Sequence, residues 1–197
     1  MKWAGGVVMI TLAACAALAG EANVKALTGK QVVMIIASHD FRDEEFAEPF
    51  ALLTQAGATV RVACSQKEPA TGMLGKKVTP DMLIADVKAA NYDAVVFVGG
   101  GGAQEYFADA TAHRIAQDAV KTGKLLGAIC VAPAILANAG VLKGRQAVCF
   151  PSVVPILKKG GATVPATAVV RDGRILTATG PEAARPFGQA LVTALGE

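Results

Sequence analysis

The sequence predicts an α/β protein in which a mostly parallel β-sheet lies between two layers of helices. Three observations support this fold class. Short apolar runs alternate with amphipathic helical segments from residue 31 to the end of the chain, which is typical of parallel strands connected by helices. The apolar runs are continuous and rich in β-branched residues, as in strands buried on both faces. Of the 197 residues, 53% are hydrophobic and 18% are charged, which suffices for the core of one compact domain.

The first half of the pattern contains three strands, a helix and a polar excursion. Continuous apolar runs predict strands at Val32–Ser38, Ala58–Cys64 and Ala94–Val98. Between the first two strands, apolar residues recur at helical spacing from Asp43 onward, and Gly57 ends the predicted helix. The stretch Lys67–Asp81 is polar and carries glycine and proline, which predicts a loop with a short hairpin.

The second half continues the alternation. Helical spacing and terminal glycines predict helices at Ala110–Thr122, Ala132–Gly140 and Pro181–Gly196. Apolar runs predict two more strands, at Lys124–Cys130 and Arg145–Pro151. Alternating residues on either side of Asp172-Gly173 predict a hairpin with a two-residue turn.

The first 19 residues have the features of a secretory signal peptide. A lysine precedes an apolar run that is too short to span a bilayer comfortably, and Ala17-Leu18-Ala19 fits the small-x-small rule for cleavage. The alternative is a lipoprotein attached to the membrane through a lipidated Cys15, because Leu12–Cys15 resembles a bacterial lipobox; an uncleaved anchor is a third. We therefore expect export to the bacterial periplasm or the exterior, with residues 20–30 as a linker and 31–197 as the domain.

Charge and cysteine content exclude several classes of function. The net charge is +3 and no basic run is dense enough to follow a phosphate backbone, so we expect no nucleic-acid partner. The chain has two histidines, His39 and His113, and no paired cysteine spacing, so we expect no metal site. Removal of the signal peptide would leave three of the four cysteines, and an odd number leaves at least one thiol free or paired between chains.

Cys130 stands where an apolar strand turns sharply into a helix. Small residues flank it at Ala128, Ala132 and Ala134, which leaves room for a strained elbow that presents a nucleophile. The amide groups at the start of the following helix would favour the thiolate, which is the reactive form. The alternative is an ordinary buried cysteine, since cysteine is among the residues most often buried.

Two further segments are expected at the same edge of the sheet. The run Gly99–Gly102 follows a buried strand, and the amides of Gly100 and Val131 could together stabilise an oxyanion; a flexible loop or a phosphate cradle is the alternative. The acidic helix start carries Glu45 one turn in, which we predict to act with Cys130. Its neighbours Asp43 and Glu44 are interpreted as charges that complement the helix dipole.

Four motifs in order resemble the ThiJ/PfpI family, also called the DJ-one/PfpI superfamily. They are FRDEEFAEP, DAVVFVGGGG, GAIC and GRILTATGPEAA, and the resemblance covers nearly all of residues 31–197. It implies a flavodoxin-like three-layer sandwich related to class I glutamine amidotransferases, commonly a homodimer. It also implies that Cys130 is the reactive elbow cysteine, that Glu45 hydrogen-bonds its thiol, and that Gly100 and Val131 supply the oxyanion donors.

The chain departs from the family pattern around the thiol. Protease-like members carry histidine directly after the cysteine, where this chain has Val131, and Phe150 stands where others place histidine or tyrosine. We expect His39, Gly101 and Phe150 to line the pocket, with His39 the one histidine that could approach Cys130. Without a histidine, general-base assistance worth about a hundred- to ten-thousand-fold in rate is missing.

The resemblance implies an enzyme of the glyoxalase III or deglycase kind, acting on small aldehydes through Cys130 and Glu45 without a cofactor. The alternative is a redox sensor or oxidative-stress protein in which an oxidant converts Cys130 to a sulfinate. A cysteine amidase or protease is less favoured for want of a histidine. A binding scaffold that has lost the chemistry is the remaining alternative, with a thiol pKa near the free value of about 8.5.

Overall fold

The computed structural model describes Met1 and residues 26–197. Apart from Met1, the predicted signal peptide, the lipidation of Cys15 and the first part of the predicted linker lie outside the described residues. Residues 26–29 form a turn against the domain, in which Leu27 is fully buried and its amide donates to the Ala56 carbonyl at 2.9 Å. Within the described residues, no helix is both long and apolar enough to cross a bilayer.

Ten strands and five α-helices make up the described part of the chain. The strands are β1 Gln31–Ile35, β2 His39–Phe41, β3 Thr59–Cys64, β4 Ala70–Gly72, β5 Lys77–Val78, β6 Met82–Leu83, β7 Ala94–Phe97, β8 Leu125–Ile129, β9 Val169–Asp172 and β10 Ile175–Ala178. The α-helices are α1 Asp43–Gln55, α2 Ala110–Lys121, α3 Pro133–Asn138, α4 Val154–Lys159 and α5 Ala184–Gly196. Short 3₁₀ helices occupy Ile84–Asp86, Ala89–Asn91, Gly101–Tyr106, Pro151–Val153 and Pro181–Ala183.

The main sheet has seven strands in the order β6-β3-β1-β7-β8-β10-β9. All neighbours are parallel except β9, which pairs antiparallel with β10. The strand order reverses at β1, and ligands of such sheets bind beyond the carboxyl ends of the strands near the reversal. A second sheet, β2-β4-β5, has three strands of two or three residues each.

Two hydrophobic cores cover the two faces of the sheet. Helices α1 and α5 pack on one face with Phe46, Leu53 and Phe187 buried, while α2 and α3 pack on the other with Ile115 and Ile135 buried. The central strands β1, β7 and β8 are almost entirely buried, which explains their continuous apolar sequences. The predicted fold class, a mostly parallel sheet between two helical layers, is confirmed.

The predicted strand at Arg145–Pro151 is wrong. Both sides of β10 are already occupied, by β8 and β9, so the segment forms one isolated bridge, from Gln146 to Thr163. Its amides are satisfied elsewhere: that of Val148 donates to the Thr177 hydroxyl at 2.9 Å and that of Phe150 to the Cys130 carbonyl at 2.7 Å. The segment therefore lies across the end of the sheet, beside Cys130.

The later hairpin and the small sheet also differ from the prediction. The turn between β9 and β10 is Gly173-Arg174 rather than Asp172-Gly173, because Asp172 still pairs with Ile175. Strand β2 was not predicted, since three residues between a buried strand and a helix carry no periodic signal. Strands β4 and β5 form the predicted short hairpin.

Candidate active site

Cys130 lies directly after β8 in a strained backbone conformation. Its φ is +65°, and the only other non-glycine residue with positive φ in the described part of the chain is Asp40. Left-handed backbone is unfavourable for most residues, so surrounding contacts must hold it. The Cys130 amide donates to the Ala178 carbonyl at 2.9 Å, and its carbonyl accepts from the Phe150 amide at 2.7 Å. Helix α3 begins three residues later at Pro133.

The glycine loop brings backbone next to the thiol. A Cβ on Gly99 would collide with Glu45 Oε2, lie 2.5 Å from Cys130 Cβ, and lie 2.6 Å from the Ile129 carbonyl oxygen. Gly100 has φ +99°, a conformation that favours glycine, and its Cβ would run into the backbone between Asp40 and Arg42. The loop therefore needs glycine at both positions to fit between β2 and the elbow.

The Glu45 side chain, in the first turn of α1, also lies next to Gly99. Its side chain is fully buried, and neither carboxylate oxygen has a hydrogen-bond partner of good geometry among the described residues. A Cβ on Gly99 would strike both Glu45 and Cys130, so the carboxyl group and the thiol side chain flank that glycine. Buried carboxyl groups are almost always hydrogen-bonded, so Glu45 stands out in this fold.

Burial dominates the protonation of both groups. It raises the pKa of Glu45 to about 7, although the Cys130 thiol and the charge of Arg42 act in the opposite direction. Burial and the Glu45 charge raise the pKa of Cys130 to about 12, against the amides of Gly100 and Val131, which lower it. The thiolate expected from the sequence is therefore disfavoured at rest, because desolvation outweighs the amide donors.

The arrangement at neutral pH is a thiol beside a carboxyl group that exchanges its proton near pH 7. A base with a pKa near the working pH is well suited to proton transfer. The amides of Gly100 and Val131 both face the sulfur, so they can stabilise negative charge that develops there or on an atom bonded to it.

Neither histidine forms a hydrogen bond with Cys130. The His39 side chain is 70% exposed and pairs with Asp40, its Nδ1 lying 3.1 Å from Oδ2. The His113 Nε2 lies 2.9 Å from the Phe107 carbonyl oxygen. Both histidines of the chain are within the described residues, so no imidazole is hydrogen-bonded to the thiol.

Gly101 and Phe150, also predicted to line the pocket, line neither the cleft beside Val131 nor the cleft beside Cys149. Gly101 is exposed and has no atom within 4 Å of a Cβ position. The Phe150 amide donates to the Cys130 carbonyl, and the residue as a whole is 42% exposed. The other acidic residues of α1 have structural partners: Asp43 accepts from the amides of Leu74 and Lys76, both at 2.8 Å, and Glu44 pairs with Arg42 at 2.8 Å.

An open cleft of about 410 Å³ adjoins the elbow. Sequence reasoning missed it, because its walls come from three segments that only the fold brings together. Its lining residues are Gln104, Phe107, Val131, Ser152, Val153 and Ile156. A separate cleft of about 660 Å³ is lined in part by Cys149 and Val154.

The other thiols and the acidic residues form no further centre in the described part of the chain. Cys64 and Cys149 are free and buried, and burial raises the pKa of the Cys149 thiol to about 11. From residue 26 onward, no group of three or more His, Cys, Asp or Glu side chains is arranged to hold a metal ion.

Comparison with known proteins identifies relatives of the whole domain. A family model described as the DJ-1/PfpI family matches residues 30–194. A protein of Methanocaldococcus jannaschii with no assigned function is 38% identical, covering 96% of this chain and 95% of that protein. A deglycase of Pyrococcus abyssi is 30% identical, covering 76% and 90%. A glutathione-independent glyoxalase of Caenorhabditis elegans is 28% identical, covering 84% and 89%.

A solved structure supports the same relationship. The ThiJ/PfpI domain protein from Brachyspira murdochii superposes with a TM-score of 0.83 at 30% identity, covering 85% of this chain and 98% of that chain. The similarity therefore extends over the sheet, both helical layers and the segments that carry Cys130 and Glu45.

Proposed function

Because this chain belongs to the DJ-1/PfpI family, we propose that it is a cofactor-independent enzyme that converts small reactive carbonyl compounds through Cys130 and Glu45. One observation carries the proposal: a strained thiol lies beside a buried, unpaired carboxyl group, and two backbone amides face its sulfur. Relatives named as a glyoxalase and a deglycase support the carbonyl chemistry.

In the first step, the thiol adds to the aldehyde carbon. As the carbon–sulfur bond forms, the thiol proton passes to the Glu45 carboxylate and the carbonyl π electrons move to oxygen. The amides of Gly100 and Val131 stabilise this oxyanion, which then takes the proton back from Glu45 to give a hemithioacetal. These reaction steps need no free thiolate before the aldehyde binds, which agrees with a Cys130 pKa that burial raises to about 12.

A 2-oxoaldehyde can then rearrange without any oxidant. The Glu45 carboxylate removes the proton from the former aldehyde carbon and delivers it to the neighbouring carbonyl carbon, while the hydroxyl proton of the hemithioacetal moves to the oxygen of that neighbouring carbon. The product is a thioester of a 2-hydroxy acid, and water releases the acid and restores the thiol. The sum is addition of one water, since one carbon is oxidised while its neighbour is reduced.

The positions of the histidines favour aldehydes over peptides. Hydrolysis of an amide needs a proton donor for the leaving amine, a role that imidazole fills in cysteine proteases. Here His39 pairs with Asp40 and the His113 Nε2 lies against a backbone carbonyl. Addition to an aldehyde has no leaving amine, so a thiol and one carboxyl group suffice.

Turnover of methylglyoxal by purified protein tests the proposal. We expect Cys130→Ser and Glu45→Gln each to lower kcat/KM at least about a hundredfold, the lower limit for loss of a nucleophile or a general base. Cys149→Ala is the matched control, because this buried free thiol lies outside the Glu45 site. Unchanged turnover in either of the first two variants would reject the mechanism.

A redox-sensing role is the second candidate, favoured by the two amides that face the Cys130 sulfur. The same amides and a protonated Glu45 could hold a sulfinate. After mild peroxide treatment, mass spectrometry should find added oxygen at Cys130 before Cys64 or Cys149. Earlier oxidation at either of the other two thiols would count against this role.

Export and dimerisation complete the proposal. Intact-mass analysis of the protein from its native cell distinguishes cleavage after Ala19 from lipidation of Cys15, and retention of residues 1–19 would argue against both. Light scattering at several protein concentrations tests the homodimer.

A further inference from the structure

We propose that the cleft beside Val131 binds the uncharged, apolar substituent of a 2-oxoaldehyde, so that aryl and branched alkyl substrates are preferred over methylglyoxal. This inference rests on the proposed function and specifies its substrate class. The binding site for the substituent is the cleft that we name the substituent cleft. Its lining residues are Gln104, Phe107, Val131, Ser152, Val153 and Ile156.

The substituent cleft is built by the same three segments that meet at the thiol. Gln104 lies in the 3₁₀ helix that begins directly after Gly100, and Phe107 is the residue that follows this helix. Val131 contributes its amide to the Cys130 sulfur and its side chain to the cleft. Ser152 and the residues beyond it follow Phe150, whose amide donates to the Cys130 carbonyl at 2.7 Å. Val131 is therefore the residue that connects the thiol to the cleft wall.

The lining suits an apolar group and opposes a charged one. Phe107, Val131, Val153 and Ile156 are apolar, and the two polar lining residues, Gln104 and Ser152, are neutral. Among the described residues that line the cleft, none is lysine, arginine, aspartate or glutamate. A carboxylate or ammonium substituent would lose its hydration there without gaining a charged partner, so glyoxylate should be a poor substrate.

The volume fits a ring better than a methyl group. An apolar protein cavity of roughly 150 Å³ holds benzene, whereas the substituent cleft measures about 410 Å³. A methyl substituent leaves most of this space unfilled and its walls wet. Each methylene group that an apolar pocket recognises changes kcat/KM by about 10- to 200-fold, so phenylglyoxal should exceed methylglyoxal by at least about tenfold.

The test compares methylglyoxal, phenylglyoxal and glyoxylate with three forms of the full chain. Ile156→Trp fills the substituent cleft from α4. Val154→Trp is the matched control, because it lies two residues away on the same helix and lines the other cleft. We expect Ile156→Trp to lower the ratio of kcat/KM for phenylglyoxal to that for methylglyoxal at least about tenfold. The Val154→Trp variant should keep the wild-type ratio of the two substrates.

The possible results distinguish failure of the substituent cleft from failure of the proposed function. If wild-type protein converts none of the three compounds, the proposed function fails. If it converts methylglyoxal but shows no preference for phenylglyoxal, or if Ile156→Trp lowers both equally while unfolding cooperatively, the substituent cleft is overturned and the function stands. Should Ile156→Trp lose cooperative unfolding, Ile156→Ala replaces it: a severalfold fall in the phenylglyoxal preference supports the cleft, and an unchanged ratio overturns it.

Discussion

Replacing Glu45 with glutamine should make the protein more stable at alkaline pH while abolishing its activity. The carboxyl group is fully buried and lacks a well-formed hydrogen bond in the described structure, so its ionised form is destabilised in the folded state. Glutamine has nearly the same shape and carries no charge. The variant therefore removes the cost of burying a carboxylate and keeps the packing of α1.

The size and sign of the effect follow from the Glu45 pKa, which burial raises from 4.5 to about 7. The folded protein binds this proton more tightly than the unfolded chain does, so the group costs nothing below about pH 4.5. The cost grows as pH rises from 4.5 to 7 and reaches about 3 kcal/mol above that, at 1.36 kcal/mol per pKa unit. The stability difference between Glu45→Gln and wild type should therefore grow by about 2.5 kcal/mol between pH 5 and pH 8.

Urea denaturation at the two pH values measures this difference, and thermal unfolding should show it as roughly 5–10 °C in Tm. Glu44→Gln is the matched control, because Glu44 is the next residue of α1 but its side chain is 40% exposed and paired with Arg42. Its effect should be small, because an exposed ion pair contributes about 0–1 kcal/mol. An equal effect of Glu45→Gln at pH 5 and pH 8 would show that the buried carboxyl does not titrate as described.

Three more predictions follow from the site and its support. The kcat/KM for methylglyoxal should rise about tenfold per pH unit up to about pH 7 and then level off, because the proposed mechanism uses the Glu45 carboxylate, whose pKa burial raises to about 7; a profile flat from pH 5 to 8 would exclude Glu45 as the base. Gly99→Ala should unfold about 1–3 kcal/mol more easily in urea, because its Cβ meets Glu45 and Cys130, whereas Gly101→Ala, with no atom within 4 Å, should not. Asp43→Ala should cost about 1–3 kcal/mol and speed proteolysis between β4 and β5, because two amides lose their acceptor; an unchanged cleavage rate would argue against this tie.

The central strands could be predicted from the sequence because their burial requires continuous runs of apolar residues. Strands β1, β7 and β8 lie in the middle of the sheet, so nearly every residue must be apolar. Arg145–Pro151 carries the same apolar pattern without being a strand. Its backbone amides instead form hydrogen bonds with Thr163, Thr177 and Cys130. The positions beside β10 are taken by β8 and β9, and the residues of the segment itself do not indicate this.

The sequence predicted that Cys130 and Glu45 lie at the same edge of the sheet, but it did not predict their electrostatics. The elbow at Cys130 and the acidic start of α1 are local patterns, and the fold brings both to Gly99. The direction of the Cys130 pKa depends on the balance between two amides and the surrounding burial. A helix start in the sequence reveals the amides but not the burial, and so it suggests the wrong protonation state.

Two costs coincide at this one point of the fold. Cys130 holds a left-handed backbone, and Glu45 buries a carboxyl group without a well-formed hydrogen bond. Strain and unpaired buried groups persist mainly where function needs them. The two groups flank the same glycine, so in the proposed mechanism the buried carboxyl group is next to the thiol whose proton it would accept during addition to a carbonyl.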